Sequence, residues 1–166
     1  MSATHLHLVL NHLPILGVPF GVVLLLLGVY RDSRELKQVA LGIFVLGALF
    51  AVPVYLTGEP AEETVEHLAG VSEMLIERHE DLAKLSMISV AALGLASLAA
   101  LLGWRKDNYP TSALTGILVL SLVTAGSLAL TGSAGGTIRH SEIRTQAQIT
   151  DPQRPPVYQA TMETTL

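Results

Sequence analysis

Cysteine is absent from this chain of 166 residues, and charged residues are scarce. Without a thiol the protein cannot form disulfides, thiolate metal sites, iron–sulfur clusters or the covalent attachment of a c-type haem. Asp, Glu, Lys and Arg make up only 14% of the residues, against about a quarter in soluble globular domains. Half of the residues are hydrophobic, and the mean hydropathy is +0.50. This balance argues against an ordinary soluble enzyme.

Several functional signatures are missing as well. The formal net charge is −4, and the chain has no basic stripe, which argues against nucleic-acid binding. There is no Gly-rich phosphate loop after a strand pattern, no nucleophile elbow and no HExxH helix. No general base and nucleophile are arranged for catalysis, so hydrolytic chemistry has no support in the sequence.

The chain instead contains long apolar runs. Four stretches carry no Asp, Glu, Lys or Arg: Leu6–Tyr30, Val39–Gly58, Leu85–Trp104 and Tyr109–Ile138. Each is long enough to cross a bilayer, which takes about 20 apolar residues. Because a polypeptide inside a bilayer must satisfy its own backbone hydrogen bonds, we predict that all four are helices.

Flanking charges and turn residues set the limits of these spans at about 7–30, 36–56, 81–104 and 111–131. We expect the Gly132–Gly136 run to end the fourth span. Two connections are short, and short connections make consecutive helices antiparallel neighbours. The predicted fold class is therefore all-α: an integral membrane four-helix up-down bundle over residues 1–140. A polar tail over 141–166 follows it.

The segment between the second and third spans is amphipathic. Pro60, followed by acidic residues, is a helix-start signal. Apolar residues then recur at helical spacing on one face, and glutamates occupy the other. The apolar face comprises Val65, Leu68, Leu75, His79 and Leu82. We predict an amphipathic surface helix between helices 2 and 3, which leads into the third span.

Basic residues predict the orientation. Arg31, Arg34 and Lys37 lie in one short connection, and Arg105 and Lys106 lie in the other, whereas the long connection is acidic. By the positive-inside rule the short connections face the cytoplasm. In a bacterium the predicted location is then the inner (plasma) membrane, with both termini periplasmic.

All six histidines fall on this periplasmic side: His5, His7, His12, His67, His79 and His140. Counting 1.5 Å per residue across a core of about 30 Å puts His12 just inside the outer boundary and His79 about one turn above it. An inward imidazole at the mouth of a bundle needs a polar partner. We therefore expect His12 and His79 to bind one metal centre, whereas His5, His7 and His67 fit solvated or capping roles better.

A non-covalent b-type haem suits this pair, because two neutral imidazoles on separate helices can bind iron from opposite faces. Gly17 and Gly21 lie one and two turns below His12 and would make room for the porphyrin, although such a pair also serves helix packing. His140, which follows a Gly-Gly turn, is a candidate third ligand. The main alternative metal is zinc or copper on three or four histidines.

Each span carries a short motif at its outer end. The motifs are Asn11-His12-Leu13-Pro14, Thr57-Gly58-x-x-Ala61, His79-Glu80-x-x-Ala83 and Thr131-Gly132-x-x-Gly135-Gly136. Over about residues 5–142 the chain resembles a bacterial family of four-helix predicted membrane proteins of unknown function, some of which look like small b-type cytochromes. The resemblance implies His12 and His79 as ligands and His140 as a weaker third. Relatives often carry a histidine where this chain has Ser133-Ala134.

These patterns favour a membrane-embedded b-type haem electron-transfer protein, or a redox-complex subunit with its haem near the periplasmic face. The alternative is a cofactor-free structural or accessory subunit of a larger membrane complex, and a third reading is a periplasm-facing Zn or Cu site. The expected partners are the lipid bilayer and membrane or periplasmic redox subunits. Quinone binding needs only a cleft and one or two polar groups.

Overall fold

A computed structural model describes residues 2–68, 71–104, 108–140 and 143–144. Within these residues the chain forms helices and no strand: α1 (Ala3–Leu10), α2 (His12–Tyr30), α3 (Arg34–Leu56), α4 (Gly58–Val65), α5 (Glu73–Gly103) and α6 (Thr111–Arg139). Four stretches are long and apolar enough to cross a membrane: α1 with α2, then α3, α5 and α6. The predicted all-α class with four spans is confirmed.

The spans form a bundle in chain order. α3 packs against α2 and α5, and α6 packs against α5 and α2, which closes the ring. Consecutive spans alternate in direction, so the short helices α1 and α4, the start of α5 and the end of α6 gather at one end. We call this the outer end of the bundle. The turn between α2 and α3 marks the inner end.

Apolar side chains fill the middle of the bundle and also cover its outside. Val18, Leu25, Phe44 and Leu93 are fully buried between the spans. Large aliphatic residues such as Ile88, which is 69% exposed, point away from the core on every span. A soluble protein rarely exposes so much contiguous apolar surface. This surface is suited to contact with lipid chains.

The first span turns one continuous stripe toward the other helices. Its buried residues on α2 are Pro14, Val18, Gly21, Val22, Leu25 and Gly28. Steps of three and four residues extend this stripe outward through Asn11 and His7 to Thr4, and such steps keep residues on one helical face. α1 and α2 meet at a single turn residue, Asn11, so the stripe crosses the junction.

The expectation that the Gly132–Gly136 run ends the fourth span is wrong, because α6 continues to Arg139. This extension buries Ala134, Thr137 and Ile138. Ile138 packs against Leu75 and Ile76 at the start of α5. Glycine weakens an isolated helix by about 1 kcal/mol relative to alanine. Tertiary packing overrides that preference here.

The amphipathic segment does not form one helix. α4 ends at Val65, and α5 begins at Glu73 after Ser72, whose backbone is extended. Leu75 and Ile76 are buried against Ile138 at the end of α6, and Val65 packs on the same cluster. This small outer cluster holds the start of α5 on α6, so the third span extends outward and the surface helix is short. Leu68, predicted on the apolar face, is exposed.

The inner end is held by basic residues from the first short connection. Lys37 forms an ion pair with Asp32 at 2.6 Å, which lowers the pKa of the Asp32 carboxyl below its usual value. Arg34 donates to the carbonyl oxygen of Trp104 at 3.1 Å, across from α3 to the end of α5. The predicted contribution of residues 105 and 106 lies outside the described residues.

The predicted polar tail also lies outside the described residues, apart from Ile143 and Arg144. Arg144 is buried, and its guanidinium donates to the carbonyl oxygens of Thr137 and Ile138 at 2.8 and 2.9 Å. The last carbonyls of a helix have no partner within the helix. The guanidinium of Arg144 supplies hydrogen-bond donors to two of these carbonyls at the end of α6.

Candidate functional site

His7 joins the first span to the end of α3. Its Nδ1 lies 2.9 Å from the carbonyl oxygen of Val54 and 3.3 Å from Thr57 Oγ1. Val54 is in the last turn of α3, where carbonyl groups lack a helical partner. The half-buried imidazole of His7 therefore caps α3 from a neighbouring span.

His79 makes an equivalent contact in the other half of the bundle. Its Nδ1 lies 3.0 Å from the carbonyl oxygen of Thr131, which joins α5 to α6. A Cβ atom added at Gly135 would lie only 3.1 Å from His79 Cε1 and 3.2 Å from its Nδ1. Gly135 therefore gives the imidazole the space that it needs to reach Thr131.

The two contacts fix the chemistry of both rings. A carbonyl oxygen can only accept a hydrogen bond, so Nδ1 of each imidazole carries the hydrogen and Nε2 keeps its lone pair. Among the described residues, no hydrogen bond is made to Nε2 of His7 or of His79. Metal-binding histidines commonly donate their other ring N–H to a carbonyl or carboxylate in this way. Both half-buried imidazoles lie at the outer end of the bundle.

His12 has a different environment from the one that the sequence suggested. Its side chain is exposed, and its Nδ1 donates at 2.7 Å to the carbonyl oxygen of Leu8 on the same span. The physical reason is helical phase: His12 follows Asn11, which belongs to the inward stripe, by one residue and about 100°. His7, on the inward stripe, is half-buried and reaches the carbonyl oxygen of Val54 on another span. His7 was expected to be a solvated or capping residue, and it does cap a helix.

The remaining histidines and the two predicted glycines have other surroundings. His5 is exposed, His67 lies 3.0 Å from Glu66, and His140 is exposed at the end of α6. A Cβ atom at Gly21 would meet the buried ring of Phe44 at 2.5 Å, and one at Gly17 would meet only Ile43 at 3.9 Å. The space beside Gly21 is therefore filled by protein, in agreement with a packing role.

Acidic residues of α4 lie over the outer end of α5. Glu62 forms a hydrogen bond with Glu80, the neighbour of His79 in the chain. Loss of water, together with that hydrogen bond and the negative charges of Glu80, Glu66 and Glu59, raises the pKa of Glu62 to about 7. The carboxyl group of Glu62 on α4 therefore lies beside that of Glu80 on α5.

The described residues do not supply the ligands for zinc or copper that the sequence left open. Across those residues, no three or more His, Cys, Asp or Glu side chains form a group that could hold a metal ion. Structural zinc takes four protein ligands and catalytic zinc usually takes three. A pair of imidazoles, by contrast, is the ligand set of a six-coordinate b-type haem.

Polar side chains also join α5 to α6 below His79. Ser86 and Thr131 are hydrogen-bonded at 2.8 Å, and Ser89 and Ser127 at 3.1 Å. Hydrogen bonds of this kind hold helices together where no water can compete. The seam leads from the core of the bundle to the carbonyl that His79 binds.

Comparison with known proteins identifies the family but gives no assigned activity. No curated protein and no solved structure matches the chain. The sequence model of one family, described as "Predicted membrane protein (DUF2231)", matches residues 3–144, which includes α1 to α6 and Arg144. The chain therefore belongs to this family of predicted membrane proteins of unknown function.

Proposed function

We propose that this protein holds a b-type haem between the imidazoles of His7 and His79 at the outer end of the bundle. It acts as an electron carrier or as a redox subunit of a larger membrane complex. The observation that carries the proposal is that both Nδ1 atoms bind backbone carbonyls, which leaves both Nε2 lone pairs available. The proposal keeps His79 from the sequence prediction and replaces His12 with His7.

The donor set fits this cofactor. The chain has no cysteine, so a covalently attached haem or a thiolate ligand is excluded. The two imidazoles come from separate halves of the bundle, α1 and α5, and both are half-buried. When bound, the iron would supply one-electron redox chemistry.

The chain's own residues would orient and protect the ligands. Val54 and Thr131 hold the two rings by their Nδ1–H groups, which fixes the tautomer and raises the basicity of Nε2. Thr57 contacts His7 and donates at 2.8 Å to the carbonyl of Pro53, so the end of α3 is itself fixed. Preorganised ligands of this kind lower the entropic cost of binding.

The distribution of basic residues supports one orientation of the bundle in the membrane. Arg31, Arg34 and Lys37 lie at the inner end, opposite the two histidines. The positive-inside rule assigns such an end to the cytoplasm. The proposed centre would then face the periplasm of a bacterial inner membrane and exchange electrons with a periplasmic protein, a membrane subunit or a quinone.

An absorption spectrum of the full chain tests the proposal. Protein purified in detergent from haem-supplied cells should show a Soret band and, after reduction, a sharp α-band. Asn carries an N–H donor where imidazole has Nδ1 but has no atom equivalent to Nε2. The variants H7N and H79N should therefore keep the fold and lose both bands.

The matched control is H12N, which changes an exposed histidine five residues from His7. It should retain the spectrum. Loss of haem in H12N with retention in H7N would instead restore the pair predicted from the sequence. A wild-type preparation that stays colourless after saturation with haem would end the proposal.

A second candidate function is a cofactor-free accessory subunit. It is favoured by one observation: His7 and His79 each bridge two helices, and the serine–threonine seam continues from Thr131. Packing alone then accounts for the polar residues. In that case H79A lowers the melting temperature, H79N leaves it near the wild-type value, and neither protein shows a haem spectrum.

A further inference from the structure

An open cleft of about 650 Å³ lies between α5 and α6 at the outer end of the bundle. This volume is within the range of small-molecule sites, about 300–1,000 Å³. Its polar lining comprises Glu77, Arg78 and Asp81 from α5 and Ser133 and Thr137 from α6. The cleft therefore presents one cation, two carboxylates and the hydroxyl of Ser133 to a ligand, whereas the hydroxyl of Thr137 already donates to the carbonyl oxygen of Ala134 at 2.7 Å.

The same cleft has an apolar side. Its apolar lining comprises Leu82 and Leu130, which lie nearest the charge-free parts of α5 and α6, together with Met74 and Ile143. Leu130 is 59% exposed, and α5 carries no charged residue between Leu85 and Gly103. The cleft thus lies where the charged outer part of the bundle gives way to the apolar surface of the spans, which is the level of lipid headgroups.

Arg78 and Glu77 are available to a ligand. Across the part of the chain that the structure describes, neither residue forms an ion pair, whereas Asp81 lies 3.3 Å from Lys84. Along α5, Arg78 stands four residues from Met74 and from Leu82, so its stem lies along an apolar ridge. Glu77 and Asp81 form the adjacent ridge, also four residues apart.

This cleft is separate from the pair of histidines. His79 contacts Thr131 and Gly135, whereas the cleft is lined by Ser133 and Thr137 on another face of α6. A ligand here would lie beside α5 and α6 without touching the imidazole of His79. The inference is independent of the haem proposal and can be tested on protein without haem.

We propose that this cleft is a specific site for phosphatidylethanolamine. Arg78 binds the phosphate, and the hydroxyl groups of Ser133 and Thr137 lie on the opposite wall. The carboxylates of Glu77 and Asp81 accept hydrogen bonds from the primary ammonium. The acyl chains follow Leu82 and Leu130 onto the apolar surface of the spans.

Charge and hydrogen-bonding capacity select this headgroup over others. Arg78 and the Lys84 that lies 3.3 Å from Asp81 balance the charges of Glu77 and Asp81. A cleft with balanced charges of both signs matches a zwitterionic headgroup better than an anionic lipid such as phosphatidylglycerol. The nitrogen of phosphatidylcholine is also positively charged, but it is quaternary and has no N–H to donate to a carboxylate. A quinone has carbonyl groups for Arg78 but offers no cation to Glu77 and Asp81.

Native mass spectrometry of the full chain in detergent provides the test. The protein is titrated with dioleoyl phosphatidylethanolamine, phosphatidylglycerol and phosphatidylcholine, each at the same concentration. Phosphatidylethanolamine should be retained about tenfold better than either of the others, as expected from the loss of one charge-assisted hydrogen bond. Soluble phosphoethanolamine should not displace it, since the lipid also gains contact with Leu82 and Leu130.

Two matched pairs of variants assign the effect to the cleft. R78Q should reduce phosphatidylethanolamine binding about tenfold, and R139Q, which removes the same charge at the exposed end of α6, should not. E77Q should abolish the preference over phosphatidylglycerol, and E63Q on exposed α4 should preserve it. Melting temperatures of all four proteins confirm that each one is folded.

Three outcomes would overturn the assignment. Equal retention of the three lipids would show a non-specific annulus, and equal effects of R78Q and R139Q would place binding elsewhere. Displacement of phosphatidylethanolamine by a short-chain quinone, with the same dependence on Arg78, would make the cleft a quinone site instead.

Discussion

At the scale of single residues, helical phase decides which histidines reach the bundle interior. Steps of three and four residues connect Thr4, His7, Asn11, Pro14 and Val18. This spacing can be recognised in the sequence, and it predicts that the five residues share one helical face. A count of depth alone favoured His12, which it placed just inside the outer boundary. His7 lies about 7.5 Å further out than His12, and His79 was also placed outside that boundary. Depth and phase together indicate His7. Only the structure identifies the carbonyl groups that the rings bind, because these depend on how the helices pack.

Gly135 gives a direct test of the fit around His79. The variant G135A places a methyl group against an imidazole that is already bonded to Thr131. We expect a lower free energy of unfolding than in G126A, by about 1 kcal/mol, the value of one hydrogen bond. G126A is the matched control, because no atom lies within 4 Å of a Cβ at that glycine of the same helix. Equal stability in a detergent unfolding assay would contradict the close contact.

Gly21 and Gly17 provide a second pair on one helix. In G21A the new methyl group meets the fully buried ring of Phe44, whereas in G17A it makes an ordinary contact with Ile43. Overpacking a core typically costs about 1–3 kcal/mol. The melting temperature of G21A should therefore fall well below that of G17A. A tolerated G21A would reopen a role for this glycine other than packing.

At the scale of helices, the sequence predicted the spans well and their outer ends poorly. Charge-free runs of about 20 residues located all four spans, because an apolar helix of that length crosses the bilayer and satisfies its own backbone hydrogen bonds. The ends depend on contacts distant in sequence. Gly132–Gly136 stays helical since α5 packs on it, and residues 60–81 divide because Leu75 and Ile76 are buried against Ile138.

The link between α4 and α5 should respond to pH. The pKa of Glu62 is raised from 4.5 to about 7 in the folded protein, so folding favours its protonated form. The stabilisation is complete below about pH 4.5 and is lost as the pH rises through about 7. Melting temperatures measured at pH 5 and pH 8 should differ more in the wild type than in E62Q. E63Q, which changes an exposed neighbour, should keep the wild-type difference, and an unchanged difference in E62Q would refute the link.

At the scale of the whole molecule, the alternation of spans puts α4 and the connection between α2 and α3 on opposite sides of the membrane. The chain lacks cysteine, so single cysteines can report the topology. An impermeant maleimide added to intact spheroplasts should label E63C and spare E35C until the membrane is broken. Both glutamates are exposed and outside the core. The reverse pattern would invert the orientation, and with it the periplasmic location of the proposed haem.

The side chain of Arg144 has a consequence for the limits of the folded unit. Its two bonds to the end of α6 mean that the bundle is completed five residues after its last helical residue, Arg139. Ending the chain after residue 144 should preserve the melting temperature, and ending it after His140 should lower it. The family match also stops at residue 144. The limit found by sequence comparison therefore coincides with the residue whose side chain binds the last carbonyl groups of the fourth span.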